Sequence, residues 1–179
     1  MVNQYTLRCI MLRGMSTTVG KSEIKQFLQP KLKKGMKICD MGPGNGTYHR
    51  LLEGKFEWTG VEIWHETAEG LRKIYDHIYE MDFREFDYPE DYDLVIFGDV
   101  LEHVTVEEAQ ECIRRARLHS KMIMIAIPYC DKQGIIYGNP NEEHIQTDLS
   151  EEKFDELYPG FERVFYRNHY AYYYWERET

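Results

Sequence analysis

The stretch KICDMGPGNGTYHRLLEG, residues 37–54, constrains the fold more than any other part of the sequence. An apolar run ends at Asp40, glycine then occupies positions 42, 44 and 46, and a helix-forming segment follows. Glycine lacks a Cβ atom and tolerates positive φ, so this turn lets a ligand lie close to the main chain. A strand, a glycine-rich turn and a helix in this order are typical of the start of a β-α-β unit.

The rest of the chain continues this alternation of apolar runs and helical patterns. The runs that predict the first five strands are MKICDM, EWTGVEI, HIYEM, YDLVIFG and KMIMIAIP. A further helix begins after Ser150, and FERVFYRNHYAYYYWER predicts two closing strands in a hairpin. We therefore predict an α/β fold, a three-layer α-β-α sandwich with a seven-stranded, mostly parallel sheet whose last strand is antiparallel.

Three local patterns carry more detailed predictions. A helix is expected from Ser22 to Lys34, although Pro30 interrupts its second half. Thr105 and Glu108 have the spacing of a capping box at the start of a second helix. In the tyrosine-rich last strand, alternate side chains are expected to fill one face of the sheet and to leave the other exposed.

Length and composition limit the domain organisation. A chain of 179 residues suits a single domain. We divide it into three parts. These are an N-terminal helical segment (1–34), a ligand-binding half that contains the glycine-rich turn (35–128), and a substrate-side loop with the closing strands (129–179). No run approaches the roughly 20 apolar residues that a membrane span needs, and the N-terminus lacks the apolar core of a secretory signal.

Charge and cysteine content narrow the class of protein. The net charge of -9 argues against an indiscriminate nucleic-acid binder. The four cysteines (Cys9, Cys39, Cys112 and Cys130) show no C-x-x-C spacing, so neither a zinc site nor a disulfide framework is indicated. A reduced, cytoplasmic protein with no bound metal is the expectation.

The spacing of the glycines discriminates among nucleotide-binding turns. A dinucleotide fingerprint is G-x-G-x-x-G, whereas here Gly42, Gly44 and Gly46 form G-x-G-x-G after an acidic residue. A P-loop would need a Gly-Lys-Ser/Thr sequence, which is missing from this turn. Asp40 near the turn disfavours a pyrophosphate and favours a cationic ligand.

Acidic residues also stand at the ends of the next three predicted strands. Glu62 comes 20 positions after Gly42, where an acid can accept both hydroxyls of a ribose. Asp82 can accept from the amine of a base, and Asp99 follows the fourth strand. Four carboxylates at one edge of the sheet repel each other unless a cationic or hydrogen-bond-donating ligand binds among them. S-adenosylmethionine offers an ammonium, a sulfonium, a ribose diol and an adenine amine.

The motifs ICDMGPGNGTY, VEIW, MDF and FGDVLEHV resemble, in this order, those of the seven-stranded S-adenosylmethionine-dependent methyltransferases. DVLEH resembles the branch called methyltransferase-11-like. The resemblance covers Lys37 to Pro128 well and the remainder in topology. It implies that the methionine part is held by Asp40, Gly42, Pro43, Gly44 and Gly46 and is bordered by Asp99 and Val100. Glu62 would accept the ribose hydroxyls, with Ile63 against the adenine. Asp82 and Phe83 would hold and flank the base.

Two histidines are candidates for chemistry on the methyl acceptor. The resemblance places His103 near the methyl donor, and His144 lies in the loop after the fifth strand, which in this fold can cover the acceptor. An imidazole with a pKa of about 6.5 suits a general base or a group that orients the acceptor. The alternative for each is a local structural role in which the ring bonds to a backbone group.

The acceptor and the activity are less constrained. The regions that carry acceptor specificity in this fold, Met1 to Lys34 and about Tyr129 to Leu149, are short here, which favours a small-molecule acceptor. Three alternatives stay open: a cofactor-binding relative that acts as a non-catalytic partner subunit, a nicotinamide-dependent oxidoreductase on a similar sheet, and a methyltransferase acting on nucleic acid or protein. The sequence defines no oligomeric state.

Overall fold

The computed structural model describes residues 18–136 and 138–178. The first 17 residues of the predicted N-terminal segment, with Cys9, lie outside the described residues. Seven strands form one sheet in the order β3-β2-β1-β4-β5-β7-β6. Their bounds are β1 Lys37–Met41, β2 Glu57–Glu62, β3 His77–Glu80, β4 Tyr92–Gly98, β5 Ser120–Pro128, β6 Glu162–Arg167 and β7 Tyr170–Glu176.

The direction of the strands agrees with the sequence prediction. Strands β1 to β5 pair in parallel, and β7 runs antiparallel to both of its neighbours, β5 and β6. The α-helices are α1 Lys21–Leu28, α2 Thr47–Leu51, α3 His65–Leu71, α4 Val106–His119 and α5 Glu151–Leu157. The predicted fold class, a seven-stranded mixed sheet with helices and an antiparallel last strand, is confirmed.

The first helix is shorter than predicted. It ends at Leu28, and a 3₁₀ turn over Gln29–Lys31 takes the place of the expected helix up to Lys34. This turn contains Pro30. A proline cannot donate the backbone hydrogen bond that an α-helix interior requires, which explains why the helix ends before it. The predicted caps of the later helices are confirmed. Thr105 and Glu108 form a reciprocal capping box on α4, and the Ser150 hydroxyl accepts from the backbone N–H of Lys153 on α5.

The sheet separates two hydrophobic clusters, one on each face. Alternate residues of the central strands enter opposite clusters, as in β4, where Val95 and Phe97 point to one side and Leu94 and Ile96 to the other. Helices α4 and α5 cover the first side through Ala109 and Phe154 among others, and α1 to α3 cover the second. Two covered faces explain why the central strands are apolar throughout.

The tyrosines of β7 contradict the expectation of one exposed face. Tyr170, Tyr172, Tyr173 and Tyr174 are all buried, on both sides of the sheet. The reason is topological. β7 lies between β5 and β6, and helices pack on both of its faces: Phe154 of α5 stacks on Tyr173, and Phe27 of α1 packs against Tyr174. Within the described ranges, no helix is long and apolar enough to cross a membrane.

A glycine in β4 provides a test of the packing between the sheet and α2. A Cβ atom on Gly98 would lie 2.1 Å from Cε2 of Tyr48, whose buried ring has no free space to move into. We expect Gly98→Ala to lower the free energy of unfolding by about 1–3 kcal/mol, as overpacked core substitutions do. Urea denaturation followed by circular dichroism measures the change.

The matched control is the same substitution in open space. Among the described atoms, none lies within 4 Å of a Cβ added to Gly70 in α3. Gly70→Ala should therefore leave the protein as stable as before, or raise its free energy of unfolding by about 0.4–1 kcal/mol. Equal effects of the two substitutions would contradict the packing described for Tyr48.

Candidate functional site

A large cleft opens at the carboxyl ends of the parallel strands. Its volume is about 790 Å³, within the usual range for small-molecule sites. It lies where the strand order reverses between β1 and β4, the position at which open α/β sheets bind ligands. The glycine-rich turn, the ends of β2 and β4, and the loop 131–144 all contribute to its walls.

The glycine-rich turn adopts the conformation that its sequence predicts. Gly42, Gly44 and Gly46 all have positive φ, at 61°, 52° and 76°. A Cβ on Gly42 would lie 2.7 Å from Val100 Cγ2, so this glycine is required by the packing of the β4 end. Gly44 is different, because no described atom lies within 4 Å of a Cβ added there and the residue lines the cleft. Gly44 is thus where a ligand can approach the main chain.

Glu62 joins the end of β2 to the glycine-rich turn. One carboxylate oxygen accepts from the N–H of Gly44 at 3.2 Å, and the other accepts from the N–H of Trp64 at 2.9 Å. Burial raises the pKa of Glu62, and these two backbone hydrogen bonds oppose the shift. The carboxylate lines the cleft and is fixed in orientation by both donors, with Ile63 exposed beside it.

Asp82 and Phe83 also line the cleft, but strand β3 ends earlier than predicted, at Glu80. Asp82 instead caps the 3₁₀ turn Phe83–Glu85, and its carboxylate is bound by the Arg84 guanidinium, with Arg84 Nη2 2.5 Å from Asp82 Oδ2. Burial would raise the pKa of Asp82, but Arg84 more than offsets this and the pKa is lowered. The sequence reading treated Asp82 as a free acceptor and did not identify this partner.

Asp40 lies behind the turn and is not among the residues that line the cleft. Its Oδ2 accepts from the hydroxyl of Tyr75 at 2.8 Å, and within the described part of the chain its buried Oδ1 has no hydrogen-bond partner. Burial raises its pKa to about 7, although Tyr75 and Lys21 favour the charged form. Among the four predicted acids, Glu62, Asp82 and Asp99 line the cleft and Asp40 does not.

Asp99 and Val100 border the cleft after β4. Asp99 has a positive φ of 58°, rare for a residue other than glycine, and its Oδ1 accepts from the Tyr170 hydroxyl. Its Oδ2 lies 3.8 Å from the ammonium of Lys21, which itself donates to the Tyr48 hydroxyl at 2.8 Å. Burial lowers the pKa of Lys21, and Asp99 and Asp40 oppose that shift.

His103 and His144, which are 41 positions apart in sequence, lie side by side in the lining of the cleft. Their ring centroids are 4.8 Å apart and the rings are nearly perpendicular. Glu102 is buried next to them, and ligand-type atoms of these three side chains lie within 4.8 Å of one another. The structure thus brings together a carboxyl group and the two predicted histidines.

Backbone hydrogen bonds hold His144 in this position. The carbonyl of Glu102 accepts from the N–H groups of Ile145 and Gln146, at 2.8 and 3.1 Å. The side-chain amide of Gln146 donates to the carbonyls of Leu101 and Val104. The loop that carries His144 is therefore attached to the turn that carries His103.

The protonation of this group follows from burial. Burial lowers the pKa of His103, with the carbonyls of Glu143 and Asp99 opposing the shift. Burial and the neighbouring His103 lower the pKa of His144. Burial and the charge of Asp99 raise the pKa of Glu102 well above its ordinary value. All three groups favour their uncharged forms.

Sequence reading missed Lys21, Arg84 and Glu102. Lys21 looks like a surface residue of an amphipathic helix, and Arg84 looks like a loop cation. Only Glu102 carried a local signal, since it stands inside the DVLEH motif directly before His103. Its burial depends on contacts with the distant loop around residue 145, which no local pattern encodes.

The chain belongs to a known protein family. The sequence model of the family described as "Methyltransferase domain" matches residues 14–125, well over half of the chain. This confirms the class named from the motifs, a Rossmann-like methyltransferase of the S-adenosylmethionine-dependent type. A search of curated proteins found no match.

Solved structures show the same fold at low sequence identity. Magnesium protoporphyrin IX methyltransferase (ChlM) from Synechocystis PCC 6803, solved with bound SAH, is similar over 98% of this chain and 94% of its own, with 16% identity and a TM-score of 0.66. An S-adenosylmethionine-dependent methyltransferase from Clostridium acetobutylicum ATCC 824 aligns over 96% and 98%, with 11% identity and a TM-score of 0.67. The 1,6-didemethyltoxoflavin-N1-methyltransferase of Burkholderia thailandensis aligns over 98% and 84%, with 16% identity and a TM-score of 0.67; it was solved with 1,6-didemethyltoxoflavin and S-adenosylhomocysteine.

The raised pKa of Asp40 makes a prediction about stability. The folded protein holds the Asp40 proton up to about pH 7, whereas the unfolded chain releases it near 3.8. Because the folded state binds more protons in this window, the Asp40 contribution to the free energy of unfolding falls as pH rises through it. Asp40→Asn mimics the protonated form, so its stability relative to the parent should increase from about pH 4 to about pH 7.

Urea unfolding of both proteins across that range measures the difference. Asp155→Asn, at an exposed position on α5, is the control and should show no such trend. Parallel pH profiles for the parent and Asp40→Asn would contradict the assignment of a raised pKa to Asp40.

Proposed function

We propose that this protein transfers the methyl group of S-adenosylmethionine to a small-molecule acceptor bound in the same cleft. The observation that carries the proposal is the position of Glu62. Its buried carboxylate stands at the end of β2, lines the cleft, and is fixed beside the open main chain at Gly44. Such a carboxylate is suited to accept the two hydroxyls of a ribose.

The residues around Glu62 fit the remainder of a nucleoside with a charged tail. Ile63 offers an exposed apolar side chain next to the ribose position, and Phe83 offers a ring on the neighbouring wall. Arg84 does not use every acceptor position of the Asp82 carboxylate, so Asp82 can also accept a hydrogen bond from the amine of the base. Gly42, Pro43, Gly44 and Gly46 form the turn that would receive the methionine part, with Asp99 and Val100 on its other side.

Asp40 is assigned a supporting role in this proposal. Its carboxylate accepts from the Tyr75 hydroxyl and is not part of the cleft lining, which supports a role in shaping the turn. Lys21 supplies a buried positive charge close to both Asp40 and Asp99, which reduces the repulsion between these two acids.

When bound, S-adenosylmethionine supplies an activated methyl group for an in-line displacement. The chain then has to align an acceptor and to manage its proton. His103 and His144 line the cleft together with Asp99, and burial favours neutral imidazoles, which can accept a proton or a hydrogen bond. We assign the acceptor position to this part of the cleft, covered by the loop after β5.

The size of the cleft and the nature of the relatives support a small acceptor. A cleft of about 790 Å³ has room for a nucleoside and a compact second molecule. The structural neighbour from Burkholderia thailandensis carries its small acceptor 1,6-didemethyltoxoflavin together with S-adenosylhomocysteine. The net charge of -9 does not favour a nucleic-acid acceptor.

Calorimetric titration tests the cofactor assignment. We expect S-adenosylmethionine to bind with micromolar-scale affinity, roughly 8 kcal/mol, and a nicotinamide dinucleotide not to bind. Glu62→Ala should weaken S-adenosylmethionine binding by about 1–3 kcal/mol, because two ribose hydroxyls lose their charged acceptor. Glu69→Ala removes an exposed carboxylate of α3 and should leave the affinity unchanged. Unchanged affinity in Glu62→Ala would remove Glu62 from the ribose site.

Replacement of the histidines tests the acceptor end. His103→Ala and His144→Ala should abolish methyl transfer across a panel of small acceptors while the affinity for S-adenosylmethionine stays nearly constant, because neither ring lies at the ribose or base positions. Transfer is followed by the formation of S-adenosylhomocysteine. A large loss of cofactor affinity would move the altered histidine to the cofactor side. Cofactor binding without transfer to any acceptor would favour the non-catalytic relative.

A further inference from the structure

Glu102, His103 and His144 have the composition of a metal centre. Two imidazoles and one carboxylate are a common ligand set for divalent transition metals, and the ligand-type atoms of the three residues lie within 4.8 Å of one another. Tetrahedral coordination at about 2.0–2.2 Å places ligand atoms roughly 3.4 Å apart, so rotations of these side chains would close the site. The sequence predicted no metal, because His144 lies 41 positions away from His103, which directly follows Glu102.

Each of the two imidazoles faces a backbone carbonyl with its Nδ1 atom. Nδ1 of His103 lies 3.1 Å from the carbonyl oxygen of Glu143, and Nδ1 of His144 lies 3.2 Å from the carbonyl oxygen of Asp131. A carbonyl only accepts, so each Nδ1 must carry the proton and each neutral ring keeps a lone pair on Nε2. Metal-binding histidines have this same arrangement, in which the other ring nitrogen donates to a carbonyl or a carboxylate.

Glu102 provides a second, independent observation. The residue is 2% exposed, it lines the cleft, and its buried Oε2 has no hydrogen-bond partner in the described part of the chain. Buried carboxyl oxygens are nearly always hydrogen-bonded or bound to a cation. A cation between Glu102 and the two histidines would satisfy this oxygen.

The backbone already holds the three groups together without an ion. The Glu102 carbonyl binds the N–H groups of the two residues after His144, and the His144 N–H donates to the Gln133 carbonyl at 2.9 Å. Gln146 is itself fixed by the Tyr158 hydroxyl at 2.9 Å. The loop therefore cannot carry His144 away from Glu102 without breaking several hydrogen bonds.

We propose that Glu102, His103 and His144 bind a divalent transition-metal ion at the acceptor end of the cleft. Three protein ligands leave coordination positions open toward the cleft, as in catalytic metal sites. The choice of acceptor rests on the proposed function. The site would select an acceptor with a hydroxyl group, because the ion would bind the hydroxyl oxygen and lower its pKa. The hydroxyl proton leaves to solvent, the oxygen bonds to the methyl carbon, and the carbon–sulfur bond breaks with its electron pair on sulfur. His103 and His144 then orient the acceptor through the ion and do not take the proton themselves.

Metal binding can be measured without cofactor or acceptor. Protein treated with a chelator and dialysed is titrated with Zn²⁺ by calorimetry, and we expect one ion to bind per chain. Co²⁺ should give visible d–d absorption with the intensity of a low-symmetry site. Mg²⁺ should bind far more weakly, because it prefers oxygen ligands and retains its waters.

Variants assign the ion to these residues. Glu102→Gln and His144→Ala should weaken Zn²⁺ binding by about 100-fold or more, beyond what the loss of a second-shell partner usually causes. Two controls keep the surroundings. Glu69→Gln alters an exposed carboxyl group of α3, and His65→Ala removes an imidazole exposed on the same helix. Both controls should retain the affinity of the parent.

The outcomes separate this inference from the proposed function. Absence of stoichiometric Zn²⁺ and Co²⁺ binding, or equal affinity in all variants, overturns the metal site, and unchanged S-adenosylmethionine binding in the same samples would leave the proposed function standing. Metal binding without S-adenosylmethionine binding overturns the proposed function alone. Near-ultraviolet circular dichroism checks the fold of each variant. If Glu102→Gln does not fold, His144→Gln, which keeps a polar side chain but loses the imidazole, decides the question.

Discussion

Burial of carboxyl groups at one edge of the sheet is the constraint on which the rest of this structure depends. Asp40, Glu62 and Glu102 are each less than a tenth exposed at the carboxyl ends of parallel strands or just beyond them. A buried carboxylate is unfavourable unless hydrogen bonds or a cation compensate it. Each of the three is compensated differently.

Backbone N–H groups compensate the burial of the Glu62 carboxylate, and a tyrosine hydroxyl compensates that of Asp40. The burial of Glu102 is compensated only in part. Two backbone N–H groups hold the Glu62 carboxylate in a fixed orientation at the cleft wall. The Tyr75 hydroxyl and the charge of Lys21 support Asp40 beneath the glycine-rich turn. One oxygen of Glu102 has no partner among the described residues, and it lies beside two histidines whose Nδ1 atoms face backbone carbonyls. Glu62 and Glu102, which both line the cleft, are thus held in different ways.

Long-range packing makes these differences possible. The loop 131–149 belongs to the C-terminal part of the chain, and backbone hydrogen bonds attach it to the turn after β4. Lys21 of α1 forms an ion pair with Asp99 and donates a hydrogen bond to the buried Tyr48 hydroxyl. Strand β7, inserted between β5 and β6, brings Tyr170 to Asp99. These contacts join segments that are far apart in the sequence around the ends of β1 and β4.

The sequence by itself determined the order of strands and helices, the glycine-rich turn, the caps of α4 and α5 and the position of Glu62 at a strand end, because each of these depends on residues close together in the chain. Only the tertiary structure decided that Asp40 lies behind the cleft, that Arg84 binds Asp82, that both faces of β7 are buried, and that Glu102 meets His103 and His144. These features depend on which distant segments share a face and on how much water they exclude. Periodicity and spacing report local conformation, whereas burial and pairing are properties of the packed chain.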